Sequence, residues 1–153
     1  DAMAGRVRFL DESHSVIFTD KGIQFFSTRV ETSPELVSQI PVEENIRSIS
    51  YTQDKVGLVT DNVEGGDPYR LKLYDKEGNQ IFEKSFNYQY TGFDIDGDLV
   101  LLYNDSSCKV YNMTGTEKYN GTFDFTVSKV SAGRFPGTLL VMGPQKMTEI
   151  KLQ

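Results

Sequence analysis

The chain has 153 residues, 38% of them hydrophobic and 25% charged, with a formal net charge of −6. A chain of this size buries about 68–70% of its unfolded surface, enough for a real core. The acidic balance and the lack of any basic run argue against nucleic acid or an anionic membrane surface as a partner, since both need clustered Lys and Arg.

One cysteine, Cys108, cannot form an internal disulfide or a Cys-rich zinc site. No stretch approaches the ~18 apolar residues of a membrane span, and no signal peptide opens the chain. Residues 1–5 read as a cloning scar or a cut edge.

Strand-like alternation starts at Arg6 and recurs in four repeats, about 6–41, 46–86, 91–123 and 127–153. The first repeat reads as Val7–Leu10, the polar turn Asp11–His14, the apolar run Ser15–Thr19, Gly22–Phe26 and Leu36–Ile40. Ser33–Val37 is the best helical candidate, with Pro34 at a first-turn position, and it reads as a loop entering a strand. The second repeat reads as Ile46–Tyr51, Lys55–Thr60, Tyr69–Tyr74 and Gln80–Phe86. The third reads as Gly92–Ile95, the turn Asp96-Gly97, Asp98–Tyr103, Cys108–Tyr111 and Glu117–Phe123. The fourth reads as Val127–Val130, Gly137–Met142 and Met147–Leu152.

The apolar second-strand runs start about 40, 43 and 39 residues apart, the spacing of four-stranded propeller blades, and their composition suits strands buried on both faces. Period-two alternation places Leu71 and Leu73 on one face of their strand. Two turns are near copies, Tyr74–Asn79 and Tyr111–Thr116, each opened by Asp or Asn and closed by Gly at positive φ. The fourth repeat stops after its third strand, which predicts an unpaired edge. The closing strand is expected from residues upstream or from another subunit. The fold class is thus all-β and propeller-type: four blades of antiparallel strands, half of a larger ring, the last blade lacking its outer strand.

Val7–Leu10, Tyr51, Asp67–Leu71 with Leu73–Asp75, the Tyr103-Asn104-Asp105 turn and the ending Glu149–Leu152 carry a resemblance. With these the chain resembles the C-terminal half of a family of uncharacterised bacterial propeller proteins, a domain of unknown function. The resemblance implies a parent protein with one N-terminal membrane anchor and an extracytoplasmic propeller of about twice this length. It implies no activity, cofactor or catalytic residue. This chain lacks the anchor and the first half of the ring.

The chemistry-bearing residues point mostly to scaffolding. Asp94-Ile95-Asp96-Gly97-Asp98 superficially resembles a calcium loop, with Asp105 at the twelfth position. That loop needs Gly at its sixth position, where Leu99 stands, so a solvated hairpin turn is expected. His14, the only histidine, lies beside Ser13, Ser15 and Asp11. Close sequence neighbours rarely supply a triad, so His14 is expected to face solvent in the first hairpin turn. Cys108 has no histidine near it in sequence and reads as a small, partly buried residue. Phosphate-binding glycine motifs are absent, and a chain without tryptophan does not match quinone-binding propellers. Three Asn-x-Ser/Thr patterns, at Asn104, Asn112 and Asn120, read as chance in an Asn- and Thr-rich β-protein.

One constellation reads as a binding site. The loop between the second and third strands is long in the second repeat, Asn62–Pro68, and the segment after that blade is Asn87–Tyr90. In a propeller both open on the same face. Asp67, Tyr69, Tyr88 and Tyr90 would then share a rim, as carboxylates and tyrosines do in surfaces that bind glycans or peptides. The competing reading packs these tyrosines between blades.

The expected function is a non-enzymatic binding or scaffolding module of an extracytoplasmic bacterial protein. The alternatives are a carbohydrate-active hydrolase or lyase using carboxylates on the propeller face, and a purely structural half-ring. No cofactor is expected. The expected partners are the missing half of the propeller or a second copy, and a glycan or peptide, with no nucleic acid and no direct membrane contact.

Overall fold

The computed structural model describes residues 6–28 and 34–152. The chain divides into two compact units, residues 1–87 and 88–153. In the first unit, β1 (Arg6–Phe9), β2 (His14–Thr19), β3 (Gly22–Ser27) and β4 (Glu35–Pro41) form one antiparallel sheet in chain order. A second sheet follows, from β5 (Ile46–Tyr51), β6 (Lys55–Asp61), β7 (Tyr69–Asp75) and β8 (Gln80–Phe86). In the second unit, β9 (Gly92–Asp96), β10 (Leu99–Tyr103), β11 (Ser107–Asn112) and β12 (Glu117–Thr122) make a third sheet. A three-stranded fourth comprises β13 (Lys129–Ala132), β14 (Thr138–Met142) and β15 (Met147–Lys151). The described residues contain no helix. Glu35–Val37 lie in β4, and Ser33 lies outside the described residues.

The three complete sheets share local devices that the sequence writes in turn and bulge residues. Each shifts register between third and fourth strands at one place: Phe25/Phe26, Leu73/Tyr74 and Val110/Tyr111. Such a bulge raises local twist and re-aims a side chain. Here Tyr74 and Tyr111 follow the bulge and are almost fully buried. The twin turns are also the same object. Asp75 Oδ1 accepts the N–H groups of Glu77 and Asn79, both at 2.9 Å. Asn112 Oδ1 accepts those of Thr114 and Thr116, at 3.0 and 2.9 Å. Gly78 and Gly115 close them at φ 90° and 84°, where a Cβ is disfavoured.

Within the first unit, Val16, Phe18, Ile23 and Phe25 of the first sheet meet Val56, Leu58 and Tyr74 of the second, with Leu10 and Val42 over the ends. Within the second unit, Leu99, Leu101, Cys108 and Val110 meet Val127, Val130, Leu139 and Val141. Each fully buried aliphatic or aromatic side chain contributes about 1.5–3 kcal/mol. The runs in β6 and β10 are buried on both faces, whereas Ile17 of β2 and Leu140 of β14 are only half-buried.

Several details depart from the sequence expectation. β1 ends at Phe9, and Leu10 lies in the turn yet is buried. β13 starts at Lys129, and the Val127 N–H bonds Asp105 O at 2.9 Å, holding the linker against the preceding loop. Cys108 is wholly buried. Lys72 sits in β7 between Leu71 and Leu73 and is only 7% exposed. Its Nζ donates to Glu44 Oε1 at 3.0 Å. His14 does not face solvent. It opens β2, its side chain is 13% exposed, and its Nδ1 lies 2.9 Å from Asp11 Oδ1.

Two tests arise here. Thr60 is fully buried and its Oγ1 has no hydrogen-bond partner. An unmet buried hydroxyl is costly, so the near-isosteric Thr60→Val should stabilise the protein by about 1 kcal/mol, read as a higher urea midpoint. The second test concerns acid. The Asp11 carboxyl is held far below the usual range, first by its bond to His14 and then by the Ser13 N–H. Arg47 holds Asp61 low, and Lys55 does the same for Asp54. Folded values below unfolded ones give stability that is complete above the unfolded pKa of about 4 and is lost as pH falls through the folded values. The thermal midpoint should therefore drop below about pH 4, and a midpoint that rises on acidification would contradict these pairings.

Candidate binding surface

The loops after the second strands and the linkers between sheets meet at one end of a sheet within each unit. In the first unit the Val42 N–H bonds Lys21 O at 2.9 Å. In the second, the Phe123 N–H bonds Ser106 O at 2.8 Å.

The long loop of the second sheet is built around Asn62. Its N–H donates to Pro68 O at 2.9 Å, which closes the loop neck. Its Nδ2 donates to Asp67 O at 2.8 Å and to Gly65 O at 3.2 Å. Arg70 reaches up from β7, with Nη2 3.1 Å from Glu64 Oε2 and Nη1 2.6 Å from Glu83 Oε2. Gly65 and Gly66 both sit at positive φ, 87° and 83°, which turns the chain back on itself. The result is a braced loop that presents Val63, 75% exposed, and the Glu64 side chain to solvent.

Asp67 and Tyr69 belong to this loop and its base. Asp67 Oδ2 accepts from Ser85 Oγ at 2.9 Å. Tyr69 is half-buried, its ring 5.4 Å from that of Phe86. Tyr88 and Tyr90 belong to the second unit and are both half-buried. The Tyr88 hydroxyl lies 2.7 Å from Ser107 Oγ, which donates to Asn104 Oδ1 at 2.9 Å. Asn104 Nδ2 then donates to Gln89 O at 2.8 Å. Burial raises the Tyr88 pKa, so the hydroxyl stays protonated. This ring of bonds fixes the 88–90 segment to the loop after β10. Tyr88→Phe should cost about 1 kcal/mol in a urea melt, and an unchanged midpoint would show that the bond carries no stability.

Sequence reading missed the brackets beneath these loops: Asn62, Arg70, Ser85, Asn104 and Ser107. A signal was available for two of them. Asn62 and Asn104 each stand directly after a second strand and use the side-chain amide as an internal turn brace.

The second unit also carries an aromatic row at this end. Tyr119 and Phe123 stack at 6.2 Å, and Phe123 and Phe125 lie 5.5 Å apart. Phe125 walls a surface hollow of about 440 Å³ with Gly143, Pro144 and Lys146. Lys146 Nζ stands 5.2 Å above the Phe125 ring.

The remaining chemistry-bearing residues are committed to structure. Asp11 Oδ1 and Ser13 Oγ both approach His14 Nδ1, at 2.9 and 3.0 Å. A triad needs its serine on the other ring nitrogen. Burial pushes the Cys108 thiol up to about 12, so it holds its proton. Asp96 Oδ2 accepts the Ala132 N–H at 2.8 Å, and Gly97-Asp98 form a two-residue hairpin turn. Among the described residues no group of three His, Cys, Asp or Glu side chains is placed to hold a metal ion.

Comparison with solved structures establishes the fold type. The chain is similar to the computationally designed Ika4 protein (TM-score 0.59, 10% identity, 100% of this chain and 93% of that one). It is similar to the WD40 β-propeller domain of Doa1 (TM-score 0.58, 12% identity, 99% and 52%). It is also similar to BamB from Moraxella catarrhalis (TM-score 0.53, 9% identity, 95% and 41%). The chain spans about half the length of the Doa1 domain and less of BamB. At these identities the likeness carries the fold alone, a propeller-like set of antiparallel sheets. No curated protein matches the sequence. A family model, described as a family of unknown function, matches residues 1–152.

Proposed function

The chain belongs to the DUF5711 family of unknown function, and from that premise we propose that it is a non-enzymatic binding or scaffolding module. The observation that carries the reading is the braced loop 62–68. The Asn62 side chain holds the loop backbone and Arg70 pins the Glu64 carboxylate, so Val63 and the ordered Glu64 side chain are offered to a ligand with little further ordering cost. Asp67 and Tyr69, in the same unit, are its proposed companions in contacting a glycan or peptide, and Tyr88 and Tyr90 of the second unit are proposed as contact residues in their own right. The ring belongs to an extracytoplasmic, membrane-anchored bacterial protein and is completed by the missing half or by a second copy.

A panel of cell-wall glycans and extended peptides is the test, run on the protein and on Tyr90→Ala and Glu64→Gln. Saturable binding that weakens in the variants at unchanged melting temperature supports the reading. Binding unaffected by both substitutions places the contact surface elsewhere and sinks it.

A further inference from the structure

Asp67-Pro68 is the single Asp–Pro bond in the chain. Proline contributes a tertiary amide with no N–H, so its nitrogen cannot attack the Asp67 carboxyl and close a succinimide. The opposite attack stays open. The side-chain carboxylate reaches its own main-chain carbonyl carbon through a five-membered ring. A nucleophile tethered in this way needs no bimolecular encounter.

The second sheet grips this bond at each of its reacting groups. Asn62 Nδ2 donates to the Asp67 carbonyl oxygen at 2.8 Å, and that oxygen gathers the negative charge on attack. The Asn62 N–H donates to Pro68 O at 2.9 Å, so one residue holds both sides of the bond. Ser85 Oγ, from β8, donates to Asp67 Oδ2 at 2.9 Å. Oδ1 carries no hydrogen bond among the described residues. The chain on either side is anchored in the sheet, where Asp61 at the end of β6 pairs with Tyr69 at the start of β7.

We propose that Asp67-Pro68 is a self-cleavage site, with the Asp67 carboxylate as nucleophile and the Asn62 amide as the donor to the oxyanion. The carboxylate oxygen bonds to the Asp67 carbonyl carbon, and the C=O electron pair moves onto the oxygen that Asn62 holds. The pair returns as the C–N bond breaks, and the Pro68 nitrogen takes a proton from the medium. A cyclic anhydride at Asp67 and a secondary amine at Pro68 result. Water opens the anhydride to the α- and β-carboxyls of a new C-terminal Asp67. One water is consumed, and no oxidant, reductant or further reactant is needed. The charged neighbours are Glu64, Arg70 and Glu83, which Arg70 joins into one group. β6 and β7 remain paired from Asp61 and Tyr69 to Lys55 and Asp75, so the cut chain keeps its sheet and the loop is released at one end. The cut is read by mass, so the inference stands or falls apart from what the loop binds.

The 153-residue protein is held at about pH 5, above the range in which its carboxylate pairings are lost, and sampled by mass spectrometry for residues 1–67 and 68–153. A synthetic peptide of residues 61–72, which has the same bond without the sheet, is run beside it. The protein should cleave at least about tenfold faster than the peptide, with a first-order rate that does not change with protein concentration. Asp67→Asn, close in shape but without the carboxylate, should abolish the cut. Asn62→Ala should slow it about tenfold, with a thermal melt confirming that the variant is folded. Equal rates in protein and peptide overturn the proposal, because the sheet then adds nothing to the bond. So does a protein that stays whole, a cut that persists in Asp67→Asn, or an unchanged rate in Asn62→Ala.

Discussion

Glu44→Ala is expected to lower the stability of the first unit by about 3 kcal/mol, because it strands a buried charge. Lys72 lies in β7 with its side chain 9% exposed, and Glu44 Oε1 receives its Nζ at 3.0 Å. The neighbours on the strand are Leu71, Leu73 and Tyr74, all buried. Without Glu44 the ammonium must either stay charged in an apolar setting or give up its proton, and both are costly. The partner substitution should behave differently. Lys72→Met removes the charge and keeps the chain length, and replacing a buried ion pair with apolar groups is often neutral or stabilising. It leaves Glu44 on the linker, 21% exposed and able to reach water. The prediction is therefore an asymmetry in urea midpoints: a large loss for Glu44→Ala and little change for Lys72→Met. Equal losses would mean that the pair is valued for attraction and not for cancelling a buried charge.

The second large effect lies in the other unit. Leu101 is fully buried in β10, opposite Asp94 on one side and Val110 on the other, in the core shared with Val130, Leu139 and Val141. Leu101→Ala removes three carbons from a site walled by two sheets. Such cavities cost about 2–5 kcal/mol, depending on how far the walls relax. Val63→Ala is the control, since Val63 is 75% exposed and surface substitutions stay within about ±0.5 kcal/mol. Denaturant melts of the two variants should differ by well over 1 kcal/mol. A Leu101→Ala protein as stable as Val63→Ala would mean that this core is not closed as described.

The repeat was legible because propeller-like sheets write themselves in short-range code. The Asp75 and Asn112 turns need an oxygen at one position and a glycine three residues later, and both are visible as letters. The apolar runs in β6 and β10 were legible for a similar reason, since burial on both faces leaves no polar alternation. Lys72 was not legible. A lysine in an alternating strand reads as the solvent face, and the partner that permits its burial stands 28 residues away in a linker. His14 misled in the same way: beside Ser13 and before a run it reads as a turn residue, yet Asp11 folds back to hold it. At the rim, the length and glycines of 62–68 announced a loop. Nothing local announced that Arg70 and Ser85, from two different strands, would brace it.

Binding without turnover can be tested by a single calorimetric titration. A glycan or peptide that scores in the panel is titrated into the protein, and the same mixture is then held overnight and analysed for new ends. The expected result is a saturable heat that is reduced in Tyr90→Ala, with the ligand recovered intact. New reducing ends or cleaved peptide in molar excess over protein, at a rate that scales with its concentration, would contradict it.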